Sequence, residues 1–421
     1  MKTTLTDWLY RLESIHPQTI ALGLDRVRAV RQRLQLNPSF PLIIVGGTNG
    51  KGSTCAMLEA MLHAAAYRTG CYASPHLLDY NERVRIGKQQ ATDAELCAAF
   101  EKIDQARGDI PLTYFEFGAL AAMLCFVERE VDVAILEVGL GGRLDAVTVF
   151  DGDCAVVTSV DLDHMDYLGD TREAIAYEKA GIFRAGKPAI FGSRDMPDII
   201  AHEAARIGAE RWRLGTEFDY AASPQQWDFH GVYGARLALP IPALRGAYQL
   251  DNASAALAAL DAVRARLPVD MNAVRRGLAE VSLPGRFQVM PGRPQIIFDV
   301  AHNPHAARAL ADNLAALPPA RSTIAVFAML RDKDIVGVAR ALRDRISAWR
   351  VAGLDLPRGA TAADIAHALA EAGVPTAAVQ TFDTVAAALR HACNEAGDND
   401  RIAAFGSFHT VAEAMREQRG D

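Results

Sequence analysis

"IIVGGTNGKGSTCAMLEAML", residues 43–62, joins an apolar run to a helical pattern through a turn containing Gly46, Gly47, Gly50, Lys51 and Gly52. A strict G-x-x-x-x-G-K-[ST] phosphate loop would place its first glycine at Val45 and its hydroxyl residue at Gly52. The strict motif is therefore absent, but its physics survives. Leu42–Val45 reads as a buried strand, the glycines let backbone N–H groups approach an anion, and Lys51 adds a point charge. Leu58, Met61, Leu62 and Ala65 recur at helical spacing, so a helix is expected to begin near Ser53. Ser53 or Thr54 then serves as N-cap, or as a ligand to phosphate or magnesium. Two readings stay open here: an anion-holding loop, or an ordinary strand-turn-helix connection.

A chain of 421 residues exceeds one compact core, so at least two domains are expected. Its net charge of −7 lacks the basic footprint of a nucleic-acid binder, which points to a small-molecule partner. The apolar stretch "FGALAAMLCFV" is much shorter than the roughly 20 residues of a membrane span and reads as a core helix. The N-terminal "MKTTLTDWLYRLESIH" carries acidic residues and amphipathic spacing in place of an apolar signal core, so the cytoplasm is expected. The six cysteines are scattered without a C-x-x-C pair; they read as reduced core thiols, and zinc is not expected.

Strand-like runs alternate with helical patterns: "PLIIVGG", "TGCYAS", "VDVAILEVG", "CAVVTSV" and "KPAIFG". Such alternation predicts an α/β fold with a mostly parallel sheet and ligands at the carboxyl ends of its strands. From about 211 to 245, short aromatic segments predict a small antiparallel element. "LPGRFQVMPGRPQ", with Pro284, Pro291 and Pro294, reads as an interdomain linker, and the alternation resumes with "QIIFDV", "STIAVFAML", "ISAWRVAGL" and "RIAAFGSF". The expected domains are 1–290 and 291–421.

Several strand ends carry chemistry. Glu137 precedes a glycine-rich turn, where it either holds a nucleotide-bound magnesium or hydrogen-bonds the turn. "TSVDLDHMDYLGD" packs Asp161, Asp163, His164 and Asp166 together, an oxygen-rich set suiting Mg²⁺ or Mn²⁺, or else a solvated acidic loop. Ser74 reads locally as a turn residue, Arg83 and Arg85 as groups that could meet an anionic substrate, and Lys179 as a solvated helix face. Asp299 and His302 end a strand, with Asn303 and Pro304 starting a helix.

Taken in order, "GGTNGKGS", "SPHL", "ERVRI", "LTYFEFGAL", "LEVGLGGRLDA", "TSVDLDH", "EKAGIF", "LPGRFQ", "FDVAHNPHA" and "FGSFHTV" resemble the folylpolyglutamate synthase family of the Mur ligase superfamily. Similarity is greatest to its bacterial bifunctional branch, dihydrofolate synthase/folylpolyglutamate synthase. The resemblance implies Mur ligase architecture: a large P-loop-type domain and a smaller Rossmann-like one, with ATP between them. It implies an enzyme that joins L-glutamate to 7,8-dihydropteroate and adds further glutamates to reduced folates through an acyl phosphate; a monomer is expected separately, since nothing in the sequence reads as an obligate interface. A monofunctional folylpolyglutamate synthase, a cell-wall ligase, and a P-loop NTPase without ligation are the alternatives.

The resemblance assigns Thr48, Asn49, Gly50 and Lys51, with Gly52 and Ser53, to the ATP phosphates. Ser74, Glu137 and His164 would ligate magnesium. Lys179 matches a lysine that this family carbamylates as a ligand to a second magnesium, making Lys51, His164 and Lys179 the catalytic set. Asn252, Arg286, Asp299 and His302 would contact ATP from the distal side. The pterin would lie along Leu22, Gly23 and Leu24, along Thr113, Tyr114, Phe115 and Glu116, and along Leu144, Asp145 and Ala146, with Arg83 nearby. The family follows "GGRLDA" with Thr-Asn, whereas this chain has Val147 and Thr148.

Overall fold

A computed structural model describes residues 3–16, 20–246 and 248–420. The chain divides into two units, Met1–Ala243 with Gln249–Ser282, and Leu244–Tyr248 with Leu283–Asp421. The expected boundary at 290 lies inside the second unit. The stretch read as a linker is folded: Gln288–Met290 pairs antiparallel with Gln295–Asp299. Its prolines flank this short edge strand and do not interrupt it, so they leave its ladder bonds intact.

The first unit is built on β1 (Leu42–Gly46), β2 (Thr69–Tyr72), β3 (Val84–Ile86), β4 (Gln89–Gln90), β5 (Val133–Glu137), β6 (Cys154–Val157), β7 (Pro188–Phe191) and β8 (Glu210–Arg213). They form one sheet in the order β4-β3-β2-β5-β1-β6-β7-β8, parallel except for the edge pairings of β3 and β4. β1, β5 and β6 are buried along their whole length, which is why their sequences are apolar runs apart from Glu137 at the end of β5. From β1 the chain passes to β2 on the far side of β5, and later returns to β6 on the other side of β1. The strand order therefore reverses at β1, and its carboxyl end faces a ready crevice.

Helix Tyr114–Glu128 contains the "FGALAAMLCFV" run and is buried over most of its length, as expected for a core helix. Helix Lys51–Ala64 starts two residues earlier than the expected Ser53, because Gly50 at φ 87° turns the chain directly into it. The antiparallel element consists of β9 (Asp219–Ala222), β10 (Gln226–Gly231) and β11 (Gly234–Pro240). Residues 211–213, expected to join it, instead belong to β8, which extends the parallel sheet. A buried ion pair, Arg236 to Asp261 at 2.6 Å, ties β11 to helix Tyr248–Val263.

The second unit carries β12 (Gln288–Met290), β13 (Gln295–Asp299), β14 (Thr323–Phe327), β15 (Ala348–Ala352), β16 (Val379–Phe382) and β17 (Arg401–Phe405), in the order β12-β13-β17-β14-β15-β16. All neighbours are parallel except β12 and β13. The six cysteines are free, as expected, and no helix among the described residues is long and apolar enough to cross a membrane.

Candidate active site

The turn after β1 is shaped by side chains from other elements. Thr158, just past β6, donates from Oγ1 to Asn49 O at 2.6 Å. Ser159 Oγ accepts from Asn49 N and donates to Asn49 O, both at 3.0 Å. Thr48 N donates to Ser159 O at 2.8 Å, while the Thr48 hydroxyl accepts from Asp161 N and donates to Asp161 O. Thr48 is assigned to the phosphates by resemblance, and its hydroxyl is engaged in fixing the loop. Gly47, at φ 145°, has no room for a side chain: a Cβ there would lie 1.9 Å from Thr158 Oγ1. Gly50 is equally constrained, since its Cβ would lie 2.3 Å from Asn252 Oδ1. Lys51 Nζ arches back over the loop, donating to Gly47 O at 3.0 Å and Thr48 O at 3.1 Å.

A second wall comes from helix Tyr248–Val263. Gln249 Nε2 donates to Ser53 Oγ at 3.3 Å, and Asn252 Nδ2 donates to Gln249 Oε1 at 2.9 Å. Asn252 therefore stands against the phosphate loop itself, within the first unit, whereas Arg286, Asp299 and His302 all belong to the second. Gly52 and Ser53 lie in the first turn of helix Lys51–Ala64, whose N-terminus favours an anion.

Glu137 ends β5 beside β1, opposite Val45, and is 4% exposed. Its Oε2 accepts from Ser74 N at 3.1 Å, which brings two of the expected magnesium ligands together. His164 sits beyond the loop-holding residues of 158–161, in a left-handed conformation at φ 52°; its N–H donates to Asp163 Oδ1 at 2.9 Å. Lys179 is not a solvated residue: it is 3% exposed and forms no hydrogen bond or ion pair with any described residue. Burial, with the nearby positive charge of Lys51, pulls its amine down to about 7, and Asp163 only partly opposes this. Its helix, Arg172–Ala180, is docked on the turn after β5 by Arg143 N donating to Glu178 O at 2.8 Å. Among the described residues no three His, Cys, Asp or Glu side chains gather as a metal cage. Glu137, a buried carboxylate that accepts from Ser74 N, suits magnesium, a hard cation usually held by few carboxylates together with substrate phosphates.

The three segments expected along a pterin are brought together. Gly23 N reaches Leu144 O at 3.5 Å, and Arg26 bridges Ala21 O at 2.7 Å to Glu116 Oε1 at 3.1 Å. Leu22 is exposed, and Leu24 caps helix Asp25–Arg33. Thr113 and Glu116 form a reciprocal capping box, so their side chains define the start of helix Tyr114–Glu128. The Phe115 ring meets Tyr72 at 5.7 Å, and Arg83 lies over Tyr80 and Tyr114 while donating to His76 Nδ1 at 2.9 Å. Arg85, by contrast, is consumed by a buried pair with Glu59 at 2.8 Å and is unavailable to a substrate. Asp145 holds the turn, accepting from Leu140 N at 2.9 Å and Val147 N at 3.1 Å; burial nevertheless pushes its carboxyl up to about 7. Ala146 follows in a short buried helical turn with Val147 and Thr148. Val147 packs into the core and the Thr148 hydroxyl donates to Asp145 O at 2.7 Å, so the departure from the family's Thr-Asn falls on residues that support the turn from within.

In the second unit, Asp299 accepts from Phe287 N and Ala301 N, both at 2.8 Å. Burial raises its carboxyl, opposed by those bonds and by Arg286 and His302. His302 Nδ1 lies 2.8 Å from Val300 O, and Arg286 stacks over Phe408 at 4.9 Å, which places the three expected residues in one cluster. Four residues of these networks, Thr158, Ser159, Gln249 and Phe408, were not singled out from sequence; the first two stand at the head of the quoted "TSVDLDH", and Phe408 within "FGSFHTV".

Residues 45–260 match the Mur ligase middle domain and residues 285–408 the Mur ligase glutamate ligase domain. The chain is 47% identical to the dihydrofolate synthase/folylpolyglutamate synthase of Escherichia coli, over 98% of this chain and 94% of that one. It superposes on the structure of E. coli FolC in complex with DHPP and ADP with a TM-score of 0.94 at 46% identity, covering 99% and 98% of the two chains. A bifunctional folylpolyglutamate synthase/dihydrofolate synthase with Mn, AMPPNP and L-glutamate bound gives a TM-score of 0.91 at 45% identity, with 99% and 98% coverage. Across nearly its whole length, the chain belongs to the dihydrofolate synthase/folylpolyglutamate synthase family of Mur ligases.

Proposed function

We propose that this protein is an ATP-dependent ligase that joins L-glutamate to 7,8-dihydropteroate and extends reduced folates with further glutamates. The family membership supports the reaction class. The observation that carries the site assignment is the buried, unpartnered Lys179 amine facing both Lys51 of the phosphate loop and Asp163 beside His164. The acceptor carboxylate attacks the γ-phosphate, giving an acyl phosphate and ADP; the glutamate amine then attacks the acyl carbon and phosphate leaves. Such chemistry needs positioning and charge neutralisation and no covalent enzyme nucleophile.

The backbone of residues 48–53 and Lys51 hold the phosphates. Ser74, Glu137 and His164 would hold magnesium, which supplies further charge neutralisation. An amine kept neutral near pH 7 reacts with carbon dioxide, so Lys179 is suited to become a carbamate, changing a buried cation into an oxygen ligand for a second magnesium. The segments around Gly23, Phe115 and Leu144 would receive the pterin.

Supplying dihydropteroate and tetrahydrofolate separately with ATP and L-glutamate, and weighing the products, tests the reading. Both acceptors should gain glutamyl residues. Extension of tetrahydrofolate alone leaves a monofunctional folylpolyglutamate synthase, and ADP release at the same rate without acceptor and glutamate removes the ligase reading.

A further inference from the structure

Gln249 is 1% exposed, and both ends of its amide are already committed to residues facing the phosphate loop. Its Nε2 donates to Ser53 Oγ at 3.3 Å and its Oε1 accepts from Asn252 Nδ2 at 2.9 Å. A serine hydroxyl has one proton and two lone pairs. Because Ser53 accepts from Gln249, its own proton is left to donate elsewhere, and it has no acceptor among the described residues. Because Gln249 takes the Asn252 NH₂ group, the Asn252 carbonyl is turned to the loop, where Oδ1 stands against Gly50.

The geometry points to Gln249 as a positioning residue of the nucleotide site: it fixes the Ser53 hydroxyl as a donor and the Asn252 amide with its oxygen toward the loop. This inference rests on the assignment of ATP to that loop. It goes further in giving Gln249, seated behind both, control over the polarity of Ser53 and Asn252, the two residues that stand against the loop. A donor aimed in advance at a phosphate oxygen needs no reorientation on binding, which favours affinity more than turnover.

Two near-isosteric variants separate the possibilities. In Gln249→Glu the side chain can only accept, so Ser53 turns its proton inward and a carboxylate stands near the phosphates. In Gln249→Met the space is filled and both hydrogen bonds are lost. With the full chain, Mg²⁺, acceptor and glutamate, Gln249→Glu should raise KM for ATP about tenfold or more, with Gln249→Met between it and wild type, while kcat changes less than KM. The effects of Gln249→Met and Ser53→Ala on KM should combine to less than their product, since part of each acts through the same hydrogen bond. Strictly multiplicative effects, or an unchanged KM in both variants, overturn the inference. Should Gln249→Glu fail to fold, as read by thermal unfolding, the Gln249→Met measurement and its combination with Ser53→Ala decide alone. Calorimetric titration of the wild-type protein with Mg·ATP separates the levels: no binding removes the nucleotide assignment itself, whereas binding that both variants retain at full strength removes only the role of Gln249.

Discussion

Lys179 in the first unit and Asp299 in the second are both buried ionisable groups near the carboxyl edge of a parallel sheet, and they are treated in opposite ways. Both carboxylate oxygens of Asp299 are taken by backbone N–H groups, of Phe287 and Ala301, so the charge is matched inside the fold. The Lys179 amine has no hydrogen-bonding partner among the described residues and faces another cation. Burying a charge without a partner is costly, so folding gains nothing from this lysine as a cation. The difference sets Lys179 apart: Asp299 is already satisfied by its own backbone, whereas the Lys179 amine is left for a ligand to answer.

The sharpest way to break this comparison is Lys179→Ala. Activity should fall about a thousandfold, in line with loss of a metal ligand, while the thermal midpoint holds or rises. Short carboxylic acids should restore part of the rate; wild-type turnover by the alanine variant would remove the proposed role of Lys179. Asp299→Asn should do the reverse to stability. An amide can accept only through its oxygen, so one of the two N–H groups loses its partner and meets another donor, at a cost of about 1–3 kcal/mol in denaturant unfolding. An unchanged unfolding midpoint would mean that Asp299 is not spent on structure after all.

The smallest effect is the most specific. The Lys179 amine is lowered in the folded protein to about 7, from an ordinary value of 10.5. Between these values the unfolded chain binds more protons than the folded one, so stability rises with pH across that window. Below it the full penalty of the buried lysine remains. In carbon-dioxide-free buffer, Lys179→Met should therefore exceed wild type in stability near neutrality, with the gap closing as pH climbs toward the upper value. A gap that stays constant with pH would show that the amine is not perturbed by its surroundings.

Sequence made the central strands legible because β1, β5 and β6 are covered on both faces and are apolar but for the terminal Glu137 of β5. It left β4 and β16 unread and took β12 for linker, since short edge strands with exposed residues carry no such run, and β3 is too short, at three residues, to show one. The turn after β1 was recognisable from its glycines, but not the reason for them: Thr158 and Asn252 fill the space where side chains would go. Nor could periodicity disclose that Ser159 holds Asn49 from 110 positions away, or that Gln249 reaches Ser53 across 196. Local reading placed Lys179 in solvent because a lysine on an amphipathic stretch usually lies there. Docking of its helix on the turn after β5, an event of tertiary packing, buries it.

The ties from Thr158, Ser159 and Asp161 to residues 48 and 49 carry one more consequence. A glycine-rich turn left to itself samples many conformations, and a ligand that orders it forfeits affinity in doing so. Here that freedom is surrendered when β6 docks beside β1, during folding and before any nucleotide arrives. Since the same short segment runs on to Asp163 and His164, the groups that would meet the phosphates and those that would meet the metal are set by a single folding event.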